Sequence, residues 1–260
     1  MENCEILIGT SGYSFKDWKG TFYPEKLQPK DYLEYYAQHF NIVEVNSSYY
    51  RIPPPRVYKS MMERTSPEFK FVVKIFQDLT HNDVWEESTI YYQKESIKPL
   101  CENNRLEGIL CQFPWSFKNT ESNRKRIIKI KETFPESPMI VEFRNENWIN
   151  DAIFSFLQNN EISYCSVDMP QIKGLIPPVA DATSKLGYVR WHGRNAETWW
   201  KGDRDERYNY NYSGEELKVW LKKLRKLAEK TDKILGFFNN CHMGNAAFNA
   251  KMMKEMLSEA

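Results

Sequence analysis

The stretch PMIVEFRNENW, residues 138–148, places a carboxylate and a guanidinium two residues apart, Glu142 and Arg144, directly behind the apolar run Met139, Ile140 and Val141. Residues two apart on a strand share a face, and unpaired charge is costly to bury. The pair must therefore meet partners or water. YVRWHGRN repeats the spacing with Arg190 and His192, FKFVVKIF carries Lys74 among apolar residues, and ISYCSVDMP ends at Asp168. Arginine forks grip carboxylate or phosphate. A histidine titrating near neutrality moves protons. A carboxylate beside Arg144 acts as a base or an orienting group. Lys74 supplies a third cation or, with its pKa lowered by an apolar strand, an imine-forming amine. These residues point to acid–base chemistry on a small phosphorylated or carboxylated metabolite. Arg144, Arg190 and Lys74 hold the anion, Glu142 and His192 move protons, and Asp168, Asn46, Gln112 and Asn240 orient the substrate. Ser11 and His81 complete the binding set.

The elements that must position them are short apolar runs at about 5–9, 41–46, 70–76, 107–113, 139–144, 162–167, 187–192 and 233–239. Apolar residues start these runs and polar ones finish them: Glu44 and Asn46 in IVEVNSSYY, Gln112 in GILCQFPW, Asn239 and Asn240 in LGFFNNCHMG. Helical stripes lie between most of them. One is Leu33, Tyr36, Ala37 and Phe40; another is Leu217, Trp220, Leu221, Leu224 and Ala228, with Ser213 as N-cap. The exception is PQIKGLIPPVADATSK, an irregular crossover between the sixth and seventh runs. The pattern predicts a single α/β domain over residues 1–260, a TIM-type (β/α)8 barrel with its site at the C-terminal strand ends. An open doubly wound sheet is disfavoured, because GTSGYS lacks the GxGxxG spacing.

The chain has 260 residues, a formal net charge of +1 and an aromatic share of 15%. Such a balance exerts no bulk pull on nucleic acid or anionic membranes. The five cysteines are widely spaced, without a CxxC pair, so neither a zinc ribbon nor a disulfide framework is expected. There is no signal-peptide pattern and no apolar run long enough to span a bilayer. A cytoplasmic protein with reduced thiols and no membrane partner is expected; no oligomeric state is specified.

Two other functions compete. Glu142, Asp168 and His192, on successive strands, have the chemistry of divalent-metal ligands in a hydrolase or isomerase. A fourth ligand is missing, so no cofactor is predicted and a metal stays a secondary reading. A nucleic-acid-processing or nucleic-acid-binding barrel would use RNAETWWKGDRDERYNYNYSG, where aromatics interleave with charges. That loop and DWKGTFYP also suit lids over the mouth. The basic stretches NRKRIIKIK and KKLRKLAEK have helical periodicity and read as solvated faces. MGNAAFNAKMMKEML opens a helix whose free N–H groups near Gly244 and Asn245 suit an anion. Cys241 beside His242 is a further candidate nucleophile.

The segments IGTSGYSFKDWKGTFYP, VEVNSSYYRIP, Thr80–His81, QFP, VEFR with a following NW, VRWHGR, and NN followed by GNAAFNA occur in order from about residue 6 to about residue 250. In these the chain resembles the domain of unknown function 72 (YecE-like) family. The resemblance implies a TIM-like barrel and brings no activity with it. Similarity to xylose-isomerase-like or endonuclease-IV-like barrels is analogy alone. Asn145 and Cys241 stand where many members of the family carry His and Asp, which puts in doubt any mechanism needing those groups.

Overall fold

The computed structural model describes residues 4–202 and 204–259. Eight parallel strands form one sheet: β1 (Glu5–Thr10), β2 (Ile42–Val45), β3 (Lys70–Lys74), β4 (Leu106–Gln112), β5 (Met139–Glu142), β6 (Ser163–Asp168), β7 (Leu186–Trp191) and β8 (Lys233–Phe238). Their order runs β1-β8-β7-β6-β5-β4-β3-β2. The strands read as apolar runs because a barrel covers both faces of a parallel sheet.

Helices cover the outside: α1 (Tyr32–Ala37), α2 (Pro55–Glu63), α3 (Glu87–Glu102), α4 (Glu121–Thr133), α5 (Asp151–Asn159), the short α6 (Arg204–Arg207), α7 (Gly214–Ala228) and α8 (Asn245–Ser258). Their starts are written locally. Thr120 and Asn150 accept from Asn123 N–H and Ile153 N–H, and Ser213 with Glu216 closes a capping box, satisfying N–H groups that the first turn leaves bare. No helix joins β6 to β7. Pro170, Gly174, Pro177 and Pro178 in that crossover remove donors and fix turns. A bridge between Asn145 and Leu175 ties it to the end of β5.

Side chains alternate inward and outward along each strand. On β7 Tyr188 and Arg190 point into the barrel and Trp191 points out to Trp220 of α7, with ring centroids 5.6 Å apart. On β8 Phe237 packs on Tyr188 inside, and Phe238 stacks on Trp191 outside at 4.4 Å.

The barrel closes between β1 and β2 without a regular ladder. A single bridge, Ser11 with Glu44, joins them. Below it the Tyr36 hydroxyl is inserted between the strands. It accepts from Thr10 N–H at 2.9 Å and donates to the Ile42 carbonyl at 3.0 Å. Gly9 permits this approach, since a Cβ there would lie 2.4 Å from the Ile42 carbonyl oxygen.

DWKGTFYP does not form a lid. Trp18, Phe22 and Tyr23 are buried, and Tyr23 stacks on Tyr32 at 4.0 Å. Trp18 Nε1 donates to the Cys241 carbonyl at 2.6 Å, fastening the loop after β1 to the loop after β8. So many rings in one segment leave it more stable as core than as a mobile flap.

Candidate functional site

The inward side chains at the strand ends form two tiers. In the lower tier Arg190 crosses the barrel. Its Nη1 donates to Glu142 Oε2 at 2.5 Å, and its Nη2 donates to Glu44 Oε1 at 2.7 Å and to Ser11 Oγ at 3.3 Å. Tyr188 donates its hydroxyl to Glu44 Oε2 at 2.6 Å. Glu44 and Glu142 are fully enclosed and Arg190 is 2% exposed, so these charges persist only by satisfying one another. Burial alone would raise the Glu142 carboxyl pKa. Arg144, Arg190 and His192 outweigh burial and hold it well below the usual carboxylate range.

His192 belongs to this tier. Its Nε2 lies 3.1 Å from Glu142 Oε1 and its Nδ1 lies 2.9 Å from Asn239 Nδ2. Burial, then the Arg144 charge, push its pKa down to about 3. The ring is thus neutral, with Nε2–H donating to Glu142 and Nδ1 accepting from the Asn239 amide. The role of proton carrier expected for His192 needs a free nitrogen, and the structure engages both.

The upper tier opens to a cavity of about 270 Å³. Lys74, Gln112, Arg144, Arg190, Asn46 and Asn239 line it, with Arg207 and Tyr208 arching over from the loop after β7 and Tyr49 and Tyr50 at the side. No Asp or Glu side chain is among the described lining residues. Lys74 Nζ donates to Gln112 Oε1 at 2.8 Å and sits 4.2 Å from the centre of the Tyr49 ring. Burial, then the Arg190 charge, lower its pKa to about 7. Arg144 pairs with Glu142 Oε1 at 2.6 Å. The Nε groups of Arg144, Arg190 and Arg207 are buried and lack hydrogen-bond partners, as does Asn46 Oδ1. Buried donors are rarely left bare in folded proteins.

His81 follows β3 on a π-type turn, Asp78–Asn82, a form that often marks functional segments. It packs edge-on against Tyr49 at 5.0 Å. Burial, then Lys74, lower its pKa to about 4.

Two sequence assignments move. Asp168 points outward, because alternation turns Cys165 of the same strand inward, toward Glu142. Its carboxylate is saturated there by Arg194 at 2.7 and 2.8 Å, by the Tyr212 hydroxyl at 2.9 Å, and by Trp220 Nε1. Asn240 likewise points away from the mouth and donates to Asn249 Oδ1 at 2.8 Å and to the Tyr210 carbonyl at 2.7 Å. Asn239 takes the inward place. Phe237, two residues earlier on the inner face, was the available signal for that parity. Glu44, Tyr49, Tyr188, Arg207 and Tyr208 were missing from the predicted set; Glu44 was legible as an acid inside an apolar run, the loop residues were not.

With Asp168 outside, Glu142, Asp168 and His192 do not converge on a metal. Among the described residues no group of three His, Cys, Asp or Glu side chains is arranged to hold one. In the turn before α8, Asp17 Oδ2 accepts from Met243 N–H at 2.6 Å, which sets a carboxylate beside the start of that helix. Asn145 caps a short turn through Asn147 N–H at 3.1 Å. The aromatic loop mostly packs down: Trp199 and Tyr212 are buried, while Trp200 is exposed and Asp203 lies outside the described residues. A more voluminous cleft, about 680 Å³, lies at the opposite barrel end beside Ser163, Thr183 and Leu186. Its titratable liners include a surface ion pair, Lys230 with Asp181, and nothing there converges as it does at the mouth.

A closed run of parallel strands with ionisable side chains gathered at their C-terminal ends defines a TIM-type barrel. Residues 7–260 match the family described as "Protein of unknown function DUF72", and the chain belongs to that family. The UPF0759 protein YunF of Bacillus subtilis (strain 168) is 33% identical over 269 residues, covering 97% of this chain and 94% of that one. The UPF0759 protein YecE of Escherichia coli (strain K12) is 41% identical over 49 residues, covering 19% of this chain and 18% of its own. A crystal structure of a DUF72 family protein from Thermotoga maritima MSB8 superposes with a TM-score of 0.91 at 38% identity, covering 98% of this chain and 99% of that one. A DUF72 family protein from Enterococcus faecalis V583 gives 0.87 at 29%, covering 97% and 95%. No helix among the described residues is long and apolar enough to cross a membrane.

Proposed function

We propose that the barrel mouth binds a small phosphorylated or carboxylated compound and performs acid–base chemistry on it, with Lys74 as the group that exchanges the proton. One observation carries this reading: a cavity walled by Lys74, Arg144, Arg190 and Arg207, with no Asp or Glu side chain among its described lining residues. An anion offsets the charge of that wall and accepts from the cationic heads that reach it. Gln112 orients the Lys74 amine. Glu142 and Glu44 keep Arg190 fixed, and His192 keeps Glu142 fixed, so the lower tier is a support for the upper. A lysine with a pKa of about 7 exists in both protonation states at neutral pH, as a general acid or base requires. A metal-dependent or nucleic-acid reading finds less support, given the outward Asp168 and the packed aromatic loop.

The test is calorimetric titration of inorganic phosphate into the wild type, Arg144→Met and Lys74→Met. Binding that weakens by about tenfold or more in each variant supports the reading. Unchanged affinity in both, or no binding to the wild type, removes it. Mass spectrometry of small molecules that copurify with the wild type and are lost from Arg144→Met would then name the compound.

A further inference from the structure

A second chamber adjoins the cationic one. It measures about 280 Å³ and lies between the loops after β1 and β2, lined by Ser11, Tyr13, Phe15, Val45, Asn46 and Tyr50 among others. Among the described residues its walls hold no charged side chain. Asn46 and Tyr50 line both chambers. Tyr50 is 58% exposed although it borders two cavities, and its ring meets Tyr49 edge-on at 4.9 Å. Tyr49 in turn lies under the Lys74 ammonium. Asn46 is thus at the junction.

Size argues that the two chambers serve one ligand. Small-molecule sites run to roughly 300–1,000 Å³. Neither chamber reaches that range alone, and the two together do. Chemistry argues for a ligand with unlike ends. One chamber offers cations; the other offers aromatic faces and hydroxyls, a surface that receives a flat ring and grips its edge.

We infer that the substrate is bipartite: an anionic group held by Lys74, Arg144 and Arg207, joined to an uncharged planar ring seated between Tyr13, Phe15 and Tyr50, with Asn46 hydrogen-bonding the link between them. This rests on the anion reading above and names the substrate class for the same site, an aryl or heteroaryl phosphate or carboxylate. Aliphatic phosphates fill half of the site.

Calorimetric titration with inorganic phosphate, methyl phosphate and phenyl phosphate tests it. Phenyl phosphate is expected to bind about tenfold tighter than the other two. Ser14 and Ser47 line the second chamber, are exposed, and lie outside the cationic one. Ser14→Trp and Ser47→Trp, made separately, fill it. Each is expected to bring phenyl phosphate down to the affinity of inorganic phosphate, whose own binding stays unchanged and so reports an intact fold. If inorganic phosphate binds and the phenyl ester gains nothing, or keeps its gain in both variants, the bipartite site is wrong and the anion site stands. If none of the three binds, both fall.

Discussion

Glu142 and Asp168 end neighbouring strands of one barrel, both are enclosed to within 1% of full burial, and each receives an arginine. They differ in the side of the sheet they occupy. Glu142 points inward and shares its oxygens among Arg144, Arg190 and His192, beneath a cavity whose arginine Nε donors remain unfilled. Asp168 points outward, and Arg194, Tyr212 and Trp220 use up its lone pairs against α7. Both are buried ion clusters of comparable cost. What separates them is whether donors are left over. The outer cluster is saturated, so its work is to fasten the loop after β7 and α7 to the barrel. The inner one passes its fixed charges up to a wall with bonds still to make.

Acid should separate the two clusters most. His192 has a folded pKa of about 3 against an ordinary 6.5. The unfolded chain therefore binds more protons between those values. Stability is full above pH 6.5 and falls as pH drops toward 3, by up to about 5 kcal/mol. His81, held to about 4, adds to the same slope. Urea denaturation at successive pH values should show it, and His192→Gln should flatten it. An unaltered slope in that variant would mean that the imidazole is not held neutral in the fold.

Arg190→Met comes next. It leaves Glu44 and Glu142 enclosed without their shared cation, at a cost of about 3–5 kcal/mol in denaturant unfolding. Asp168→Asn should cost less, about 1–3 kcal/mol, because Arg194 is 33% exposed and finds water. The decisive readout is phosphate affinity, expected to be unchanged in Asp168→Asn. A tenfold loss there would place the outer cluster in the binding machinery and collapse the distinction between the two.

The smallest effect is a fraction of a proton. A bound anion favours the charged form of Lys74 and raises its pKa from about 7. At pH 8 phosphate binding should then take up protons, and affinity should decline as pH rises past 7. Calorimetry in buffers of differing ionisation enthalpy measures the uptake, and Lys74→Met should abolish it.

The barrel was legible because eight apolar runs each turn polar at one end, which both the strand period and the site rule of this fold demand. The crossover from β6 to β7 was legible from its prolines and glycine. Glu142, Arg144, Arg190 and Lys74 were legible as charges too costly to bury unpaired. Side-of-sheet was harder. In SYCSVD every residue is buried, so no alternation of polarity marks which side Asp168 takes, and its hidden partners Tyr212 and Trp220 lie far along the chain. The protonation state of His192 was illegible for a related reason. Its neutrality depends on burial and on Arg144, both products of closure. Arg207 and Tyr208 reach the cavity through a long loop whose path no local pattern fixes.

The Tyr36 hydroxyl has a consequence for how this molecule opens. Where the other neighbouring strands exchange backbone bonds directly, the first and second are stitched by one phenol and one bridge. A stave held by so few stitches is where breathing of the cylinder begins, and Arg190, reaching Ser11 and Glu44 on either side of the gap, is its clasp. The uncharged chamber sits directly above that join. A guest lodged there would touch both staves at once and draw the cylinder shut, so occupancy should be felt as slowed amide exchange at Thr10 and Ser11, below the ligand rather than around it.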